Sequence, residues 1–197
     1  MYSPFDVTKQ FEDAIAEYCG SPYAVAVTSC TAAILLCCAY LEVDEVEIPK
    51  FTYVGVAQSI INAGGKVKFR NEKWKGIYQL SPYNIYDAAK RTTSEMYIPG
   101  TFMCLSLHIS KILGVDQGGV ILHDNEKADI VLRKMRFDGR SEGVAPKDDT
   151  FIRGFHAYLS PNVAAQALWK LSRLPLHNED LPMDDYADLS LQKVFKS

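Results

Sequence analysis

The sequence predicts an α/β fold with a mostly parallel central sheet flanked by helices. Three observations carry that prediction. Short apolar or β-branched runs alternate with segments of helical period along the chain. The uncharged stretch 21–41 is long enough to suggest a membrane span, yet it divides into a strand-like AVAV, a polar TSCT and a buried-helix pattern AAILLCCAYL. The turn at Ser29–Thr31, Asp87, Ser106 and Lys111 all fall at or just beyond strand C-termini. Open α/β sheets bind their ligands at those ends.

The elements follow in order. Phe11, Ala14, Ile15 and Tyr18 recur at helical spacing, so 8–19 is expected to be a helix that Gly20 stops. Next come a strand at Tyr23–Val27, a turn at Thr28–Thr31 and a helix at 32–41. Backbone N–H groups at such a helix start attract an anion, with Ser29 and Thr31 hydroxyls as further donors. The alternative is that Ser29 or Thr31 serves as a helix cap. A strand at 46–49 leads through Phe51-Thr52-Tyr53 into a helix at 54–63, closed by Gly64-Gly65 and followed by a strand at 66–70. The stretch 71–84, with Trp74, Tyr78 and Tyr83, shows no regular period. A short strand at 85–87 ends on Asp87, and strands at 101–107 and 119–123 flank a polar turn carrying Lys111. Residues 126–137 form a helix with Ile130, Val131 and Met135 on its apolar side, and with Arg133, Lys134 and Arg136 near its C-terminal dipole. The segment 138–153 reads as a loop, Pro161 opens a helix to 174, and Pro175 ends it. The expected organisation is one compact domain over 1–174 and a short, initially acidic tail over 175–197.

Lys111 lies among Ile109, Ile112 and Leu113. Burial between strands would lower its pKa and supply the neutral amine that traps a carbonyl. The alternative is a turn lysine that reaches water.

Composition bounds the partners. A chain of 197 residues with 48% hydrophobic and 23% charged content is that of a soluble globular domain. A net charge of -3 gives no electrostatic footprint for nucleic acid. The five cysteines have no metal-type spacing and include adjacent Cys37 and Cys38, so they read as reduced, buried residues of a cytoplasmic protein. The N-terminus lacks an apolar leader. No membrane association is expected.

Five blocks in fixed order then become recognisable: FEDAIAEYCG, AVAVTSCTAAILL, DEVEIPKFTYVGVAQSIINAGGKVKF, YDAAK and LSLHISKILGVDQGGVIL. Together they resemble the DegT/DnrJ/EryC1/StrS family of pyridoxal phosphate (PLP)-dependent sugar aminotransferases, which have the type I aminotransferase fold. The resemblance covers most of residues 10–174. It implies that Lys111 forms the Schiff base with PLP and that Asp87 pairs with the pyridinium nitrogen. Thr31, with the neighbouring turn residues Ser29 and Cys30, would hold the phosphate with help from Ser106, and Tyr53 would stack on the ring. GFHAYL at 154–159 resembles the segment in which the family reaches the PLP phosphate of the neighbouring subunit, so His156 would act across a homodimer. The implied substrates are glutamate as amino donor and a keto-sugar in nucleotide-linked form.

The chain departs from the family pattern at five places. Cys30 stands for a glycine, Lys90 for a glutamine or histidine, and His156 for an asparagine. The strand–helix region expected between Phe69 and Ile85 and the small C-terminal domain have no room, which marks a short, truncated form. The second implied reading is therefore a PLP-binding or scaffolding protein of the same fold without transaminase activity.

Overall fold

The computed structural model describes residues 3–195. The elements are α1 (Asp6–Cys19), β1 (Tyr23–Val27), α2 (Cys30–Tyr40), β2 (Glu45–Pro49), α3 (Val54–Ala63), β3 (Lys66–Arg70), β4 (Tyr78–Leu80), β5 (Ile85–Asp87), β6 (Phe102–Ser106), β7 (Gly119–His123), α4 (Glu126–Arg136) and α5 (Pro161–Leu171). Short 3₁₀ turns lie at Pro146–Asp148, Leu189–Leu191 and Lys193–Phe195.

Alternation along the central strands sorts the core into two layers. Val25 and Val27 of β1, Phe102 and Cys104 of β6 and Ile121 of β7 face one side, where α2, α3 and α4 cover them. Ala24 and Ala26, Met103 and Leu105, and Val120 and Leu122 face the other, against α1 and α5. Both faces are buried, so these strands read as continuous apolar runs. Helix α2 is apolar all round because it packs on the sheet and on α3 and α4. Among the described residues no helix is long and apolar enough to cross a membrane. All five cysteines are buried and free.

The sheet is mixed, which corrects the expectation of a mostly parallel one. The order is β1-β7-β6-β5-β4, with β2 and β3 forming a separate parallel pair. Of the main-sheet pairings, only β5–β6 is parallel; β1–β7, β6–β7 and β4–β5 are antiparallel. The cause is the connections. A parallel neighbour needs a long crossover, usually helical. The links from β4 to β5 and from β6 to β7 contain no helix, so each folds back. Strand β4 was not apparent in the sequence, since three residues carry too little period to register.

Direction, rather than neighbour, builds the site. β1, β5 and β6 point the same way, with β7 reversed between β6 and β1. Val27, Gly119 and Ser106 are therefore aligned on one sheet edge, and Asp87 lies at the same end beside Cys104. A bridge between Glu47 and Ser81 sets β2 antiparallel to the chain leaving β4, which carries Phe51–Tyr53 to that edge as well.

Candidate active site

A cavity of about 330 Å³ opens at this edge. Its floor is the start of α2. Ser29 caps that helix, its side chain accepting the Ala32 N–H at 3.0 Å. Capping is therefore an observed role of Ser29, and the first N–H groups of the helix, Cys30 and Thr31, have no intrahelical acceptor behind them. The turn closes tightly because β7 begins with glycine. A Cβ on Gly119 would lie 2.4 Å from the Ser29 carbonyl carbon and 2.5 Å from the Cys30 nitrogen. Cys30 points away from that cradle and into the core. Its thiol donates to the Cys104 carbonyl at 3.3 Å and lies 3.9 Å from Asp87 Oδ1.

Asp87 ends β5 with 3% exposure. Its Oδ1 accepts the Ala89 N–H at 2.9 Å, and its Oδ2 accepts the Tyr78 hydroxyl at 2.8 Å. Thr52 Oγ1 lies 2.7 Å from that same hydroxyl. Burial pushes the Asp87 pKa up, while the Ala89 N–H, Tyr78 and Lys111 pull it back. A buried carboxylate facing a cavity is stabilised by a cation placed there.

Lys111 follows His108 in a turn, its N–H donating to the His108 carbonyl at 2.8 Å. The side chain is half-buried and lines the cavity. Among the described residues it makes no ion pair. Its pKa is lowered, by burial first and by the nearby Lys90 second. The apolar flank expected on both sides of it is one-sided, since Leu113 is buried but Ile109 is 60% exposed. The desolvation comes from the cavity wall rather than from the adjacent sequence.

Ser106 and Tyr53 also line the cavity. The Ser106 hydroxyl accepts the His108 N–H at 3.4 Å. Tyr53 is 55% exposed at the mouth. Gly55 lets the Tyr53 ring and the Thr31 hydroxyl converge, because a Cβ there would meet them at 2.6 and 2.8 Å. The structure thus brings seven of the eight expected site residues to one cavity. His156 is the exception. It is 71% exposed, its Nδ1 lies 3.0 Å from Asp138 Oδ2, and its ring packs edge-on against Tyr158.

Five contributors were not foreseen. Tyr78 and Thr52 hold Asp87, and Trp74, Asp184 and Tyr186 wall the cavity. The aromatic density of the irregular 71–84 stretch was the available signal for Trp74 and Tyr78. Nothing local marked Asp184 or Tyr186, which belong to the segment expected as a tail. That segment crosses the mouth. Asp180 pairs with Arg91 at 2.6 Å, the Leu181 N–H donates to the Lys90 carbonyl at 2.9 Å, and the Tyr186 ring stacks at 6.2 Å from that of Trp74.

With this geometry in place, the comparisons with known proteins become specific. Residues 2–99 match the sequence profile of the DegT/DnrJ/EryC1/StrS aminotransferase family. The chain is 30% identical over 136 residues to the spore coat polysaccharide biosynthesis protein SpsC of Bacillus subtilis (strain 168), covering 66% of this chain and 34% of that protein. A DegT DnrJ EryC1 StrS aminotransferase from Brucella abortus superposes with a TM-score of 0.72 at 20% identity, over 86% of this chain and 59% of the other. NtdA from Bacillus subtilis, solved with the cofactor PMP bound, superposes with a TM-score of 0.73 at 18% identity, over 85% of this chain and 48% of its own. The chain thus spans about a third of that curated relative and about half to three-fifths of the two solved chains. The profile match and the shared fold point the same way: the first half of the chain is similar to the DegT/DnrJ/EryC1/StrS aminotransferase family, and most of the chain shares the fold of such enzymes.

Proposed function

We propose that this chain binds PLP in the 330 Å³ cavity and acts as a sugar aminotransferase, moving an amino group from glutamate to a keto-sugar, in its nucleotide-linked form. One observation carries the reading. An amine without an ion pair among the described residues, a buried carboxylate and a helix N-terminus whose first two N–H groups lack an intrahelical acceptor line a single cavity at the same sheet edge.

The residues fit the cofactor group by group. A phosphate suits the Cys30 and Thr31 N–H groups, with the Thr31 and Ser106 hydroxyls beside them. A pyridinium suits Asp87, whose buried charge lacks a cation. An aromatic ring suits the exposed face of Tyr53. The volume lies at the low end of the roughly 300–1,000 Å³ typical of small-molecule sites.

Bound PLP supplies an electron sink for the α-carbon of an amino donor. Lys111 Nζ is the amine that would hold the cofactor's carbonyl, and once free it would be placed to serve as the base toward the donor's α-carbon. Asp87 keeps the ring nitrogen protonated, with Tyr78 and Thr52 fixing the carboxylate. Tyr53 covers one ring face. His156 would serve the partner subunit's phosphate in a homodimer with a shared site. The buried, free cysteines suit a reducing, cytoplasmic setting.

One feature favours the second reading, a cofactor-binding protein without turnover: Asp184 and Tyr186 take up wall space on the substrate side. Titrating the purified chain with PLP, then adding glutamate, separates the two. A visible absorbance band absent from Lys111→Ala and bleached by glutamate supports the aminotransferase. A band that glutamate leaves unchanged supports the second reading, and no band refutes both.

A further inference from the structure

Lys90 closes the YDAAK block and, unlike Asp87 and Ala89, does not line the cavity. It stands three positions after Asp87 and is 5% exposed. Its Nζ donates to Asp184 Oδ1 at 2.5 Å, its single ion pair among the described residues. Asp184 is held in place from both directions. On one side are the Asp180–Arg91 pair and the Leu181 N–H to Lys90 carbonyl bond. On the other, Tyr186 donates to Asp184 Oδ2 at 2.9 Å and stacks on Trp74, and the Leu189 N–H donates to the Lys50 carbonyl at 2.9 Å.

Two amines therefore share one neighbourhood, and they are not equivalent. Lys90 is buried and holds a close carboxylate partner. Lys111 is half-buried with no carboxylate in ion-pair contact among the described residues. Its pKa is lowered by burial first and by Lys90 second, against the opposite pull of Asp184 and Asp87. The other titratable groups lining the cavity are Cys30, Tyr53, His108 and Tyr186.

We propose that Lys90, locked on Asp184 beside the cavity, is a positioning residue that tunes the Lys111 amine for bonding a carbonyl. The inference concerns the site proposed above and rests on Lys111 being its reactive amine. It also assigns a use to the segment that crosses the mouth: it supplies the anion that fixes Lys90.

The test needs no cofactor. The full chain without PLP is acetylated with limiting acetic anhydride between about pH 6 and about pH 10, and each lysine is read by peptide mass spectrometry. Exposed Lys147 is the internal reference. Lys111 is expected to label ahead of Lys147 near neutral pH, and Lys90 to lag behind both. In Lys90→Gln and Lys90→Met the repelling charge is gone and Asp184 is released toward Lys111, so Lys111 labelling near neutral pH falls on the order of tenfold. Lys90→Arg keeps the charge and restores the fast profile. A Lys111 profile that matches Lys147 in the wild-type chain overturns the inference, and so does a profile unchanged in both neutral variants. The wild-type comparison stands even if a variant fails to fold. An intact labelling pattern without a PLP band sinks the cofactor reading alone; a PLP band with the wrong labelling pattern sinks the role of Lys90 alone.

Discussion

Gly119→Ala tests how the proposed phosphate cradle is built. Gly119 opens β7 opposite Val27 on one side and Ser106 on the other, and the Ser29–Cys30 turn rests directly on it. An added methyl would lie 2.4 Å from Ser29 C and 2.5 Å from Ser29 O and Cys30 N, where ordinary contact begins at 3.4 Å. About an ångström must be found, and every atom in the way is backbone, so no side chain can rotate to give it. Overpacking of this kind costs roughly 1–3 kcal/mol, and the rigid neighbours place it in the upper half of that range. For a chain of this size that is a fall in Tm of about 4–12 °C. The displaced start of α2 also misaims the Cys30 and Thr31 N–H groups. Losing one charge-assisted hydrogen bond of about 1.5–3 kcal/mol weakens PLP binding roughly 10- to 100-fold. Gly64→Ala is the control. Nothing lies within 4 Å of its Cβ, but φ is +106°, so strain alone lowers stability, by about 1–3 kcal/mol. Gly64 caps the far end of α3 from Tyr53, so PLP affinity should hold. Thermal melts and PLP titrations of both variants provide the assay. Wild-type stability and affinity in Gly119→Ala, or equal loss of affinity in Gly64→Ala, would refute the reasoning.

Three further outcomes follow from the same contacts. Glu12→Ala removes the buried carboxylate that pairs with Arg136 and, at 2.6 Å, with Arg133, so it should cost about 3–5 kcal/mol in a denaturant melt. Tyr78→Phe deletes one donor to Asp87. The Asp87 pKa then rises further, and PLP affinity falls about 3- to 10-fold, most at the acid end of a titration. Lys111→Met should melt higher than the wild-type chain at neutral pH. The sign follows from the lowered Lys111 pKa: the folded state binds fewer protons than the unfolded one, so the lysine costs stability at neutral pH. That cost shrinks as pH rises through its folded pKa toward the unfolded value, and the advantage of the variant shrinks with it.

Much of the site was legible because its residues sit where chain direction changes. Asp87, Ser106 and the 29–31 turn each end a strand, and strand ends are marked in sequence by the switch from apolar to polar residues. Helix α3 and strands β1, β3, β5 and β7 fall at their expected bounds for the same reason. What was not legible depends on partners distant in sequence. Strand β4 exists because β5 pairs with it, not because of any pattern of its own. Arg133 and Arg136 read as helix-end charges. In the fold they span to Glu12 on α1 and to the Ala24 and Ala26 carbonyls of β1. Asp184 and Lys90 lie 94 residues apart, and neither position signals the other.

The most direct test of the account is borohydride reduction of the PLP-treated chain, followed by peptide mapping. The account predicts a single phosphopyridoxyl group fixed irreversibly on Lys111, with Lys90 unmodified although it is close by. Modification on Lys90, scatter over exposed lysines such as Lys147, or no fixed cofactor would contradict the claim that this cavity is a PLP site built around Lys111.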